Sequence, residues 1–97
     1  MRHDIVLSPQ AIEDLRRLTA RDRAAVKDAL EVHLRHEPTR VSRSRIKRLR
    51  ELAQPQYRLR VHEIRVFYDV GEGEVYIHAI LLKSMVEQWL KEVGKPL

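Results

Sequence analysis

The chain has 97 residues, of which 43% are hydrophobic and 34% are charged, a composition typical of a globular protein rather than a disordered one. Cysteine is absent, which excludes disulfide bonds and cysteine-ligated zinc. The apolar runs are far shorter than the ~18 residues of a membrane-spanning helix. We therefore expect one domain over residues 1–97, located in the cytoplasm, with no membrane partner.

The positive charge is concentrated in one part of the chain. The formal net charge is +5, and residues 40–65 contain nine Lys or Arg and two acidic residues, a net charge of +7. The other 71 residues have a net charge of −2. A basic block this localised indicates a polyanionic partner, most simply nucleic acid. A surface that only maintains solubility, the alternative, usually mixes the two signs.

The first third of the chain predicts a short strand and two helices. Residues 4–7 form the strand, and Ser8 and Pro9 are suited to the N-cap and first position of a helix. Thr19 and Asp22 have approximate capping-box spacing at the start of the second helix. The buried stripe of the first helix is expected to consist of Ile12, Leu15 and Leu18. That of the second is expected to consist of Val26, Ala29, Leu30 and Leu34.

Three strands are predicted between residues 57 and 82. Residues 57–61 alternate strictly between apolar and cationic side chains, and residues 64–70 form two distinct stripes. Residues 74–82 are apolar on both faces apart from His78, as in an interior strand. Glycines at the turn before this strand supply the positive φ that a hairpin needs. Residues 40–50 fit a loop, a strand or a basic helical turn.

The first hairpin has a register that can be worked out from its turn. If His62 and Glu63 form a two-residue loop, Arg60 lies opposite Arg65, and Arg58 lies on the same face two residues away. Directly opposed like charges destabilise a hairpin. We therefore expect this cationic face to bind an anion.

The C-terminus predicts an amphipathic helix. Ser84 and Glu87 have capping-box spacing, and Gly94 and Pro96 are suited to end the helix. Its apolar stripe is expected to consist of Val86, Trp89, Leu90 and Val93. The predicted fold is therefore α+β, with an N-terminal strand and helical hairpin, an antiparallel sheet and a C-terminal helix. The helices are expected to pack on one face of the sheet.

Three segments together resemble the RelE/ParE superfamily of bacterial and archaeal toxins. They are Lys47-Arg48-Leu49, the YRLRV run at 57–61 and the IRVFY run at 64–68, and the order of elements agrees over nearly the whole chain. The resemblance implies a toxin that is neutralised by a cognate antitoxin, whose complex binds operator DNA. RelE-like members cleave messenger RNA in the ribosomal A site without a metal or other cofactor, and ParE-like members inhibit DNA gyrase.

The resemblance also implies site residues. The catalytic cations would be Arg58, Arg60, Arg65 and Lys83. Arg65 and Lys83 would bind the scissile phosphate, and Arg58 and Arg60 would position it or transfer a proton. The candidates for substrate binding are Lys47, Arg48 and Arg50 from the basic block, Trp89, and His62, which at a turn also fits a residue that is only solvated. Trp89 stands where a tyrosine is expected, and an indole has no acceptor and cannot be a general base. It can stack on a base or pack in the core.

Three hypotheses remain open at this point. The first is a RelE-like, ribosome-dependent endoribonuclease, and the second is a ParE-like inhibitor of DNA gyrase without nuclease activity. The third is a basic nucleic-acid-binding module that is not toxic. His78 interrupts an apolar strand and fits either a core histidine or a substrate contact.

Overall fold

The computed structural model describes all 97 residues. Its α-helices are α1 (Pro9–Arg17), α2 (Ala20–Ala29) and α3 (Val86–Val93). A π-helical turn, Leu30–Leu34, extends α2, and a 3-10 turn, Lys83–Met85, precedes α3. Its strands are β1 (Asp4–Leu7), β2 (Ile46–Arg48), β3 (Leu52–Gln54), β4 (Tyr57–Val61), β5 (Ile64–Gly71), β6 (Glu74–Leu82) and β7 (Lys95–Pro96). This arrangement confirms the predicted α+β fold class.

Five strands form one sheet in the order β1-β6-β5-β4-β2, so β6 is an interior strand as predicted. Three of the pairings are antiparallel, but β1 runs parallel to β6, which makes the sheet mixed. The segment left open at residues 40–50 contains the edge strand β2. Strands β3 and β7 form a separate two-stranded sheet that was not predicted. No helix has both the length and the apolar composition needed to span a bilayer.

The main core lies between one face of the sheet, here called the inner face, and helices α1 and α2. The four apolar residues predicted for the second helix are all buried. The prediction for the first helix is wrong in one position, since Ile12 is 48% exposed and Ala11 is fully buried. The first turn of α1 lies against β6, because the Ser8 N–H donates to the Ile77 carbonyl. At that short distance the small Ala11 side chain packs against the sheet.

The N-caps of α1 and α2 are confirmed, and that of α3 is not. Ser8 Oγ accepts from the Ala11 N–H, and Thr19 Oγ1 accepts from the Asp22 N–H. The capping box predicted for Ser84 does not form, because Ser84 lies inside the 3-10 turn. The N-cap of α3 is Met85, whose side chain makes no capping hydrogen bond. Gly94 ends α3 as predicted, and Pro96 belongs to β7.

The C-terminal helix packs on the outer face of the sheet, opposite α1 and α2. Phe67, Ala79 and Leu81 are buried there in a second apolar cluster, with Val86, Leu49, Trp89 and Leu90 packed against them. The prediction that all helices share one face is therefore wrong. The outer face carries this apolar patch beside its charged residues, and α3 is the helix that buries the patch.

Candidate nucleic-acid interface

The register of the β4–β5 hairpin is the one predicted from its two-residue turn. Arg60 pairs with Arg65, and Arg58 pairs with Phe67, so the three arginines project from the outer face. The turn residue His62 has a φ of 54°, in the left-handed region that side chains seldom adopt. We call Arg58, Arg60 and Arg65 the cation cluster.

Arg65 is the most enclosed member of the cation cluster, with 7% of its surface exposed. Its Nη1 atom donates to the carbonyl of His62 at 2.7 Å and to that of Ile64 at 3.1 Å. These bonds hold the guanidinium beside the hairpin turn and use one of its nitrogens. A planar guanidinium has further N–H donors, which remain available to an anion.

Arg58 lies between Lys47 on β2 and Phe67 on β5. Its Nε atom is buried and has no hydrogen-bond partner. Burial lowers the pKa of Arg58, and the neighbouring charges of Arg65 and Arg60 lower it further. The free protein therefore keeps a partly desolvated cation next to two like charges, an arrangement that a bound anion would stabilise.

No carboxylate within the chain neutralises the cation cluster. The ion pairs present involve Glu13, Glu31, Glu37, Asp69 and Glu87, and none of them includes an arginine of the cluster. Arginines of a purely structural network normally have acidic partners when they are buried. The cluster therefore has the charge and the free donors of an anion site.

Lys83 and His62 lie at the end of the hairpin near the cation cluster. The Lys83 N–H donates to the Glu63 carbonyl at 2.7 Å, which fixes the start of the 3-10 turn beside the β4–β5 turn. The Lys83 side chain is exposed and lines a groove that also contains Glu63 and Glu87. His62 is exposed at the tip of the turn.

The basic residues of β2 and of the loop that follows it do not all lie on the same face of the sheet. Lys47 pairs with Arg58 on the outer face, so it extends the cation cluster. Arg48 points to the other face, where its Cζ atom lies 5.1 Å from the centroid of the Tyr57 ring and its Nη1 donates to the Gln56 carbonyl. Arg50 is exposed and lines a groove with Leu90 of α3. The structure thus brings Lys47 to the site and holds Arg48 away from it.

Trp89 packs on the sheet and keeps one edge accessible. Its ring centroid lies 5.1 Å from that of Phe67, so the indole belongs to the outer apolar cluster. Its Nε1–H donates to Gln10 Oε1 at 3.4 Å, a longer distance than the usual 2.7–3.2 Å. Of the two roles left open for this residue, packing is the one that the free protein displays.

A polar network on the same outer face was not predicted. His78 Nε2 lies 2.7 Å from Asp69 Oδ2, and Gln54 Nε2 donates to the same oxygen at 2.9 Å. The Gln56 N–H donates to Asp69 Oδ1 at 2.8 Å. Burial raises the pKa of Asp69, but the hydrogen bonds from His78, Gln54 and Gln56 outweigh it and hold this pKa below its ordinary value. Asp69 is therefore a carboxylate at neutral pH and orients the imidazole.

The network borders a pocket between α1, β6 and α3, here called the Trp89 pocket. Its volume is about 310 Å³. The residues relevant to its chemistry are Gln10, Gln54, Pro55, His78, Trp89 and Lys95.

The sequence carried a signal for part of this network. Counted from the glycine-containing turn, Asp69 lies opposite Tyr76, and His78 is its diagonal neighbour on one face. The structure has this pairing, followed by a register shift between Phe67 and Tyr68 that leaves His78 without a partner residue on β5. Gln54 comes from a strand outside the main sheet, and nothing in the local pattern indicates it.

Comparisons with known proteins agree with this architecture. Residues 5–87 match the family model described as the ParE toxin of type II toxin-antitoxin systems, parDE. A search of curated proteins finds no significant match.

Among solved structures, the chain is similar to one in the RelBE2 toxin-antitoxin complex from Mycobacterium tuberculosis. The identity is 25% and the TM-score 0.72, over 84% of this chain and 99% of that one. It also resembles a chain of the YoeB dimer from Staphylococcus aureus, with 19% identity and a TM-score of 0.58, over 81% of this chain and 94% of that one. The latter likeness concerns the fold alone. With 83 consecutive residues matched by the family model, the chain belongs to the ParE toxin family of type II toxin-antitoxin systems, within the RelE/ParE superfamily.

Proposed function

We propose that this toxin is a ribosome-dependent endoribonuclease that cleaves messenger RNA and so inhibits translation. The observation that supports it best is the cation cluster, three guanidinium groups on one face of a rigid hairpin with no acidic partner in the chain. RNA presents a phosphate to such a cluster at every nucleotide. Residues 1–97 would act as one domain in the cytoplasm.

The chemistry of this proposal is attack of a ribose 2′-OH on the neighbouring phosphorus, which breaks the bond to the 5′-oxygen of the next nucleotide. A 2′,3′-cyclic phosphate remains on one fragment, and the 5′-oxygen of the other takes up a proton. The transition state gains negative charge on the phosphate oxygens, and donors held in place before the reaction stabilise it. Arg65, anchored by two carbonyls, would contact the scissile phosphate together with Lys83. Arg58 and Arg60 would position the phosphate, and Lys47 and Arg50 would bind the flanking backbone.

The proton of the 2′-OH needs an acceptor. A guanidinium has a pKa above ~12 and is a poor base, so the cation cluster alone does not supply one. His62 and Glu63 in the adjoining turn can each accept a proton. In this proposal they are the first candidates, and the ribosome presents the RNA strand to them.

A cognate antitoxin would inhibit the toxin, and the antitoxin complex would contact operator DNA. The related RelBE2 chain was solved as a toxin-antitoxin complex, which supports such a partner. The positive charge of the cation cluster would offer the antitoxin an electrostatically complementary surface.

Inhibition of DNA gyrase without nuclease activity is the second candidate. Two observations favour it. The family model that matches the chain is described as the ParE toxin of parDE systems. In addition, Trp89 packs on Phe67 at the position where a nuclease would present a tyrosine hydroxyl. In this case the cation cluster would bind an acidic surface of the enzyme or its DNA.

The two functions are separated by inducing the toxin and its Arg65→Met variant in cells and in a translating extract. The nuclease proposal predicts cuts in messenger RNA at the ribosomal A site, reduced by about 100-fold or more in Arg65→Met, since one lost donor to the transition state costs that much. Arg16→Met is the matched control, because Arg16 lies on α1 with a 72% exposed side chain. Inhibition of gyrase supercoiling without RNA cuts would select the second function.

A further inference from the structure

We propose that the Trp89 pocket binds an unpaired guanine of the RNA substrate, on a nucleotide other than the one whose phosphate the cation cluster holds. This inference rests on the proposed nucleic-acid-binding function and adds a base-specific subsite to it. The argument depends on where the pocket lies, on the hydrogen-bonding atoms that it presents and on its aromatic wall.

The pocket lies at the end of β1, between the start of α1 and α3, and borders the outer face that carries the cation cluster. Along β5, Arg65, Phe67 and Asp69 all face outward, and Asp69 holds the His78 ring that lines the pocket. Four residues of strand separate Arg65 from Asp69 by roughly 13 Å. A phosphate at the cluster and a base in the pocket therefore belong to different nucleotides of one strand.

Two residues that line the pocket, His78 and Gln54, each carry an acceptor atom that has no partner within the chain. Asp69 is a carboxylate and accepts only, so the Nε2 atom of His78 donates to it; an imidazole with a single proton, placed on Nε2, has an acceptor at Nδ1. The Gln54 amide nitrogen points to Asp69, which leaves its Oε1 atom free as the second acceptor. No hydrogen bond within the chain uses either atom.

A pair of acceptors selects a base edge with a pair of donors. Guanine presents N1–H and the N2 amino group side by side, whereas uracil, cytosine and adenine each present one donor group on that edge. Trp89 and Pro55 supply apolar surface for the ring, and Lys95 supplies a cation for the attached phosphate. The 3.4 Å contact between Trp89 and Gln10 is long, so a ligand can replace it at little cost.

The structural alternative is a network that only secures β3 to the sheet. The Asp69 hydrogen bonds to Gln54 and to the Gln56 N–H would serve that role. That alternative does not require the two free acceptors or the accessible edge of the only tryptophan in the chain. It also predicts no response of the protein to a guanine base.

The test uses the fluorescence of Trp89 and short RNAs that cannot be cleaved because each 2′-OH is methylated. The full chain is titrated with UUGUU, UUUUU and the inosine analogue UUIUU, which lacks the N2 amino group. We expect UUGUU to quench Trp89 and to bind at least about 5-fold more tightly than UUUUU, with UUIUU in between. GMP and UMP, titrated alone, probe the pocket without the cation cluster.

Gln54→Met and Gln88→Met are the matched pair of variants. Gln88 is an exposed amide on α3 whose Nε2 donates to Glu92 on the same helix, so its loss removes an amide outside the pocket. In Gln54→Met, Asp69 keeps its bonds to His78 and to the Gln56 N–H. We expect Gln54→Met to bind both pentamers with the affinity of UUUUU, and Gln88→Met to behave as the unaltered protein.

The outcomes separate the pocket from the proposed function. Equal binding of both pentamers without quenching overturns the guanine subsite and leaves the nucleic-acid interface intact. Quenching by GMP that requires Gln54, with no binding of either pentamer, supports the pocket and contradicts the RNA-binding function. No response to any RNA or nucleotide overturns both. Quenching by an antitoxin segment but not by GMP assigns the pocket to that protein partner instead.

Discussion

The guanidinium of Arg58 is partly buried on the outer face, and its Nε atom has no hydrogen-bond partner. An unsatisfied buried donor costs about 1–3 kcal/mol, and the adjacent Arg60 and Arg65 add repulsion. Burial and these two charges lower the pKa of Arg58. The residue is therefore unfavourable for the folded free protein and favourable for a phosphate complex.

Replacement of Arg58 by methionine tests whether this residue lowers the stability of the free protein while it favours the binding of phosphate. Methionine keeps the length of the side chain and removes the desolvated charge, so we expect Arg58→Met to raise the free energy of unfolding by about 1 kcal/mol. The same change should weaken RNA binding. Urea unfolding and RNA titration measure the two effects.

Arg60→Met is the control for this prediction, because Arg60 is exposed and should change stability by less than about 0.5 kcal/mol. A clear loss of stability in Arg58→Met would mean that the guanidinium is satisfied by contacts within the chain. The cation cluster would then be a structural feature.

At the scale of elements, the two capped helices are tied to the sheet in different ways. Ser8 caps α1 by accepting from the Ala11 N–H, and its hydroxyl also donates to the His78 carbonyl of β6 at 2.8 Å. Thr19 caps α2 by accepting from Asp22 alone. The Ser8 hydroxyl is thus both a helix cap and a link between layers.

Two alanine substitutions compare these caps. We expect Thr19→Ala to lower the free energy of unfolding by about 1 kcal/mol, the usual cost of a lost N-cap. Ser8→Ala should cost more, about 2 kcal/mol, because it also leaves the partly buried His78 carbonyl with one bond fewer. Urea unfolding of both variants measures the difference. Equal losses would show that the bond from Ser8 to β6 contributes nothing.

For the whole molecule, the charge is distributed unevenly between two faces. Basic residues of β2, β4 and β5 meet on the outer face, whereas the helical segment 9–34 holds five Lys or Arg and five acidic residues and has no net charge. Such a distribution orients the protein toward a polyanion before contact.

The salt dependence of RNA binding follows from this distribution. If the cation cluster holds three phosphates of single-stranded RNA, we expect a slope of about −2 in a plot of log affinity against log salt concentration. Arg65→Met should reduce the slope by about 0.7 and Arg16→Met should leave it unchanged. Filter binding at several salt concentrations measures the slopes. A slope near zero for the unaltered protein would contradict a phosphate-binding role for the cluster.

The features predicted correctly are mostly ones that short stretches of sequence determine. The strict alternation of residues 57–61 and the two-residue turn at His62 and Glu63 set the hairpin register, because both are local and a slip by one residue would turn every side chain over. The caps at Ser8 and Thr19 and the helical period of α3 are local in the same sense.

The features decided by the tertiary structure join segments that are distant in the chain. An amphipathic period shows which side of α3 is apolar but not which face of the sheet it will cover, and the outer patch around Phe67 decided that. The pairing of Asp69 with Gln54, the register shift at His78 and the parallel pairing of β1 with β6 likewise depend on how complete elements pack together. The sequence by itself determined the cation cluster, since its register is local, and packing alone assembled the Trp89 pocket beside it.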